Sequence, residues 1–79
     1  MSDYQPIPCA LHSEYELWIM HRRQLQVRWQ DEKGELHGGK LMPRDVYTRA
    51  GEEFLVLESD SGERLDVRLD RIIEARPTG

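Results

Sequence analysis

Between Glu53 and Ala75 the apolar positions fall into two patterned runs. Phe54-Leu55-Val56-Leu57 is continuous, apolar and β-prone. Leu65, Val67 and Leu69 alternate instead with Arg64, Asp66, Arg68 and Asp70. Side chains on a strand alternate faces, so the second run has one buried and one wet face. The turn formers Ser59-Asp60-Ser61-Gly62 join the two runs into a β-hairpin. The first run is apolar on both faces, as suits a central strand covered on both sides. Asp70-Arg71-Ile72-Ile73 then leads into a last short strand. The buried set predicted here is Phe54, Val56, Leu65, Val67 and Leu69.

Upstream, Leu25, Val27 and Trp29 alternate with Gln24, Gln26, Arg28 and Gln30, the pattern of an amphipathic strand. Asp31-Glu32-Lys33-Gly34 reads as a polar hairpin loop. The next strand runs from Glu35 to Met42 and contains Gly38-Gly39, which mark a bend that lets one strand serve both halves of a curled sheet. Pro43 ends it, Val46-Tyr47-Thr48 adds a short strand, and Arg49-Ala50-Gly51 turns into the central hairpin. Ser13-Glu14-Tyr15-Glu16 has the form of a capping box, with Ser13 at the N-cap and Glu16 three residues on. It predicts a helix over 13–23, acidic in its first turn and basic at His21, Arg22 and Arg23. Pro6 and Pro8 exclude regular helix before it, so 1–12 reads as an extended arm with Ile7 and Cys9 buried.

These elements compose a single domain over 1–79: an arm (1–12), a helix (13–23) and barrel strands (24–76). The fold class is mainly β with one N-terminal α-helix, a small Sm-like bent β-barrel or sandwich. An OB-fold or SH3-like barrel has the same alternation and is the alternative.

The chain has 79 residues, a length that bounds it to one small core. Its single cysteine, Cys9, forms no internal disulfide and reads as a small packed residue. Cys9 and the three histidines match no zinc-site spacing, so no metal or other cofactor is expected. The absence of a disulfide, a signal peptide and a long apolar stretch reads as a cytoplasmic protein. Net charge is −4, unevenly spread. The first twenty residues carry Asp3, Glu14 and Glu16 with no Lys or Arg, while the middle of the chain is basic. An acidic protein repels phosphate backbones, so a basic partner surface fits better than direct nucleic acid. The plainer meaning of acidity is solubility.

No serine carries a nucleophile-elbow sequence, and the carboxylates fall on predicted wet faces and loops. The chain therefore reads as a binding module rather than an enzyme.

Three segments carry a family resemblance: Tyr4-Gln5-Pro6-Ile7-x-Cys9, the aromatic–acidic pair Tyr15-Glu16 in the helix, and Arg68-Leu69-Asp70-Arg71-Ile72 after a Glu-rich hairpin. Together they resemble the Rho-binding antiterminators of the Rof or YaeO type, with similarity from Tyr4 to Ala75. The resemblance implies an Sm-like fold and a bacterial protein, monomeric when free. It also implies binding to the N-terminal RNA-binding domain of the termination factor Rho, which keeps RNA off and inhibits termination. Where the family carries aspartates directly after the cysteine, this chain has Ala10-Leu11-His12-Ser13. The candidate contacts are therefore Asp3, Tyr4, Glu14, Tyr15 and Glu16, with Arg49 as a second point. The alternative function is an Sm-like domain that binds single-stranded RNA directly through Arg22, Arg23, Arg28 and Arg49 beside Trp29 or Tyr47.

Overall fold

The computed structural model describes residues 5–78. Helix α1 (Cys9–Met20) precedes five strands: β1 (Leu25–Gln30), β2 (Leu36–Arg49), β3 (Glu52–Glu58), β4 (Arg64–Arg68) and β5 (Ile72–Pro77). A single 3₁₀ turn (Leu69–Arg71) separates β4 from β5. The strands form one antiparallel sheet in the order β4-β3-β2-β1-β5. The protein is mainly β with one N-terminal helix, in an Sm-like bent arrangement.

The curl of the sheet follows from β2 and the 3₁₀ turn. The first half of β2 pairs with β1, from Leu36↔Gln30 to Leu41↔Leu25. Its second half pairs with β3, from Met42↔Glu58 to Arg49↔Glu52. Leu25 and Val27 from one half-sheet and Leu55, Leu57 and Val67 from the other enclose one core, so the sheet folds over on itself. The outer strands β4 and β5 are joined by only three residues, which span at most about 14 Å between flanking Cα atoms. The two sheet edges thus approach each other, and Leu69 is buried where the turn crosses between them.

The bend differs from the sequence expectation. The glycines lie inside the regular β1–β2 ladder, as Val27↔Gly39 and Arg28↔Gly38. The irregularity falls between Pro43 and Asp45, where Arg44 is the extra residue. Pro43 does not end the strand; it is buried and continues β2. A proline has no N–H to donate, and a bulge is where a strand tolerates that loss. The predicted short strand at Val46-Tyr47-Thr48 is the second half of this one long strand.

The turns follow their residues. Ala50 (φ 52°) and Gly51 (φ 79°) are both left-handed and form the two-residue link between β2 and β3. The β1–β2 and β3–β4 loops share one design. Asp31 Oδ1 accepts the N–H groups of Lys33 and Glu35, while Ser59 Oγ accepts that of Glu63.

Helix α1 begins at Cys9, four residues before the predicted Ser13. Pro8 stands at the N-cap, and its carbonyl accepts the N–H groups of Leu11 (3.0 Å) and His12 (3.1 Å). Burial explains the early start, because a helix from Cys9 sets Leu11 beside Ile7 against the core. Ser13 is then an exposed mid-helix residue, and Glu14 and Glu16 lie outside the first turn. Cys9, expected inside, is exposed. In the hairpin Val56, Val67 and Leu69 are buried as expected, with Leu55 and Leu57 at 0% exposure. Phe54 and Leu65 are only partly covered: Phe54 lies on the opposite sheet face from Leu55 and Leu57, and Leu65 shares their face but sits at the start of β4, beside the β3–β4 loop.

Candidate functional site

The candidate surface is the outer side of α1 and what lies beside it. The helix packs on the core through Leu11, Tyr15, Trp18 and Ile19. That packing sets the direction of every other helix residue. Glu14 and Glu16 flank Tyr15 and both point into solvent. Tyr15 does not join them at the surface: it is 1% exposed and meets Trp18 edge-on, with ring centroids 5.6 Å apart. This corrects its reading as a contact residue. Burial, and secondarily the charge of Glu14, pushes the Tyr15 hydroxyl up to about 12. The sequence pattern around Tyr15 misled because Leu17-Trp18-Ile19-Met20 is apolar without a break and Tyr15 adjoins it across Glu16, so only the helix phase decides which member turns inward. Leu17 and Met20 turn outward instead, at 52% and 73% exposure, and supply the apolar area of this face.

His12 ties the helix to the sheet. Its Nδ1 lies 2.8 Å from Glu16 Oε1, one helical turn on. Its Nε2 lies 3.8 Å from Glu53 Oε2, at the start of β3. The acidic surface therefore runs from Glu16 on α1 to Glu53 on the central hairpin, while Glu14, two residues from Glu16 and so roughly 200° around the helix, lies on the other flank of Tyr15. Arg49 is exposed at the end of β2, paired in register with Glu52, on the same hairpin end that carries Glu53. The structure thus brings that hairpin end beside the acidic helix, although 33 residues separate Glu16 from Arg49 in the chain. Asp3 and Tyr4 lie outside the described residues.

The arm is fixed at its described end. The backbone N–H of Gln5 donates to Asp70 Oδ2 at 3.0 Å. Asp70 also receives both Nε (2.6 Å) and Nη2 (2.8 Å) of Arg68, a bidentate pair at a carboxylate only 8% exposed. Burial raises the Asp70 carboxyl, but the Arg68 and Gln5 hydrogen bonds outweigh it and hold the group below its ordinary value. Arg68 also reaches Glu52 Oε2 at 3.3 Å. Two segments that look unrelated in sequence, Gln5-Pro6-Ile7 and Arg68-Leu69-Asp70, therefore meet in space, through the backbone of the first and the side chains of the second. Periodicity alone misses it; an acid paired with an arginine two residues away on a strand is the signal that was available.

The two aromatic residues of the direct RNA-binding alternative are each engaged in a ring contact. Trp29 is half-buried and stacked on His37, while Tyr47 is stacked on Phe54 and donates its hydroxyl to Asp66 at 2.7 Å. Asp31, Glu35 and His37 each present a ligating atom within 4.8 Å of the others, a grouping the spacing rules miss because it is closed by a hairpin. Asp31 already serves the loop, with Oδ1 on two backbone N–H groups and Oδ2 2.7 Å from His37 Nε2. The His37 hydrogen bond, followed by the backbone ones, holds the Asp31 carboxyl below its ordinary value. No helix among the described residues is long and apolar enough to cross a membrane.

No family model matches this chain, and no curated protein matches it. Among solved structures it is similar to the proteasome accessory factor B/C (PafBC) of Arthrobacter aurescens, at 22% identity and a TM-score of 0.78. The alignment covers 99% of this chain and 13% of that one. At that identity the likeness shows the fold alone.

Proposed function

We propose that this protein is a small acidic inhibitor of the transcription termination factor Rho. It binds at or near Rho's RNA-binding surface and blocks RNA engagement, giving antitermination in the bacterial cytoplasm. The observation that carries this reading is the pair of exposed carboxylates on α1, Glu14 and Glu16, one on each flank of the helix's outer side, with His12 bringing Glu53 alongside Glu16. A surface that binds RNA is basic, and carboxylates at this density complement it. Leu17 and Met20 add exposed apolar area between the charges, the role first expected of Tyr15.

The family resemblance supports the same reading. Its most specific segments are those joined by Asp70, which holds the described end of the arm against the barrel. The contact set proposed here is Glu14 and Glu16, with Glu53 and Arg49 beside the helix, and the resemblance adds Asp3 and Tyr4.

Calorimetric titration onto Rho, paired with an RNA-loading assay, tests it. The double reversal Glu14→Lys with Glu16→Lys is expected to weaken Rho binding by at least tenfold, about 1.4 kcal/mol, and to restore RNA loading. Circular dichroism first establishes that the variant folds. The matched reversal of Asp60 and Glu63, exposed in the β3–β4 loop, is the control, because Glu53 lies too close to the helix to serve. Normal Rho binding by the folded helix variant would overturn the assignment of the face. Tight binding of the pure protein to single-stranded RNA would overturn the inhibitor reading.

A further inference from the structure

An open concavity lies away from α1 and shares no lining residue with it. It is an open groove of about 470 Å³ at the gap between strand β4 and the β1–β2 loop. Trp29 and Phe54 give it aromatic walls, both half-buried by packing on their other sides. Its acidic lining is Asp31, Glu32, Glu35, Glu52 and Asp66, against three basic groups, which leaves a formal excess of two negative charges. Most of these groups are engaged: Arg64 and Tyr47 hold Asp66, while His37 and two backbone N–H groups hold Asp31. Arg68 is held by Asp70 and Glu52, and Arg71 donates to the Asp31 carbonyl at 2.9 Å, leaving Lys33 in the exposed loop. Glu32 and Glu35 are exposed and have no side-chain hydrogen bond or ion pair among the described residues.

Two further features decide what fits. β4, which supplies Asp66, Val67 and Arg68 to the lining, is an edge strand: β3 covers one side and no described strand pairs with the other. A row of open N–H and C=O groups beside a groove takes an extended chain. Aromatic walls with uncompensated carboxylates favour a guanidinium, whose flat face lies on rings while its edge donates to oxygens. A polyanion would meet the excess negative charge instead.

We infer that this groove docks an extended, arginine-bearing segment of a protein partner. The segment's backbone pairs along the β4 edge, and its guanidinium is taken up by Trp29, Phe54 and the carboxylates of Glu32 and Glu35. The site is separate from the helix face of the proposed function, so either can fail without the other.

The probe is a short peptide alternating glycine and arginine, titrated into the isotope-labelled full chain and followed by NMR. The expected result is a saturable shift of the Trp29 indole N–H and of the β4 amides, with the Trp18 indole on α1 unmoved. The same peptide with glutamine for arginine should leave Trp29 in place. Glu32→Gln with Glu35→Gln, both on exposed loop positions, should weaken peptide binding roughly threefold to tenfold. Glu14→Gln with Glu16→Gln should leave it unchanged. Equal binding of the glutamine peptide, shifts confined to α1, or displacement of the Trp29 signal by a uridine oligonucleotide would each overturn the inference.

Discussion

Single residues carry two departures from local preference, and both are measurable. Arg22 closes helix α1 in the left-handed region at φ 52°. Its N–H bonds the Ile19 carbonyl at 3.2 Å and that of Arg23 bonds the Trp18 carbonyl at 3.0 Å, the two links of a Schellman ending. Glycine normally occupies that position, and an L side chain there costs about 1 kcal/mol. Arg22→Gly is therefore expected to raise stability by a few tenths to about 1 kcal/mol, part of the gain being lost to glycine's freer unfolded chain. A denaturant midpoint that falls would show that the Arg22 side chain contributes more than its backbone costs. Ser13 presents the opposite case. As an N-cap it would lose about 0.5–2 kcal/mol on truncation. As an exposed mid-helix residue it has no such role, and alanine is the better helix former. Ser13→Ala should leave the midpoint unchanged or raise it by at most about 0.5 kcal/mol.

At the scale of elements, strand patterns were legible and helix limits were not. The alternation Leu25, Val27, Trp29 and the hairpin from Phe54 to Leu69 correspond to β1, β3 and β4, because period-two alternation reports directly on a face. The helix start was misplaced because Pro8, the observed N-cap, makes no side-chain cap hydrogen bond and carries no local signal, whereas Ser13 with Glu16 has the form of a capping box. Contacts made by Ile7 and Leu11, which no local pattern displays, decide for the first. The bend of β2 was anticipated in kind but assigned to the glycines, whereas the bulge at Arg44 lies where the strand changes partner. Burial within the hairpin follows from that curl. Leu57 is fully enclosed and Leu65, directly opposite it in register, is only partly covered. Leu57→Ala is expected to cost about 2–5 kcal/mol and Leu65→Ala less. Urea midpoints in the reverse order would contradict the curvature described here.

For the whole molecule the informative joint is Asp70, which holds the arm, the β4 end and the 3₁₀ turn together. The acidic charge of the first twenty residues could be read from sequence, since they contain Asp3, Glu14 and Glu16 without Lys or Arg. That Glu53 joins the candidate face, and that Tyr15 leaves it, could not, because both depend on how the helix lies across the sheet. The joint gives this arrangement a pH signature. The Asp70 carboxyl is depressed in the folded protein, so the unfolded chain takes up its proton first as pH falls. The stability it contributes is complete above the ordinary carboxylate range and is lost as pH drops through the lower folded value, that is, below about pH 4. Asp66, where burial is outweighed by the Arg64 hydrogen bond, is depressed in the same direction and adds to the same limb. Asp70→Asn removes the Asp70 share at every pH, so it should lower stability near neutrality and flatten the acid limb. Denaturant midpoints of both proteins between about pH 2 and 7 measure this. Converging curves at the acid end are expected, with the loss at neutrality on the order of 1–3 kcal/mol. Parallel curves would mean that the charge of Asp70 is not what fastens the arm, and the fixed direction of the acidic helix would then have to come from the Ile7 and Leu11 contacts alone.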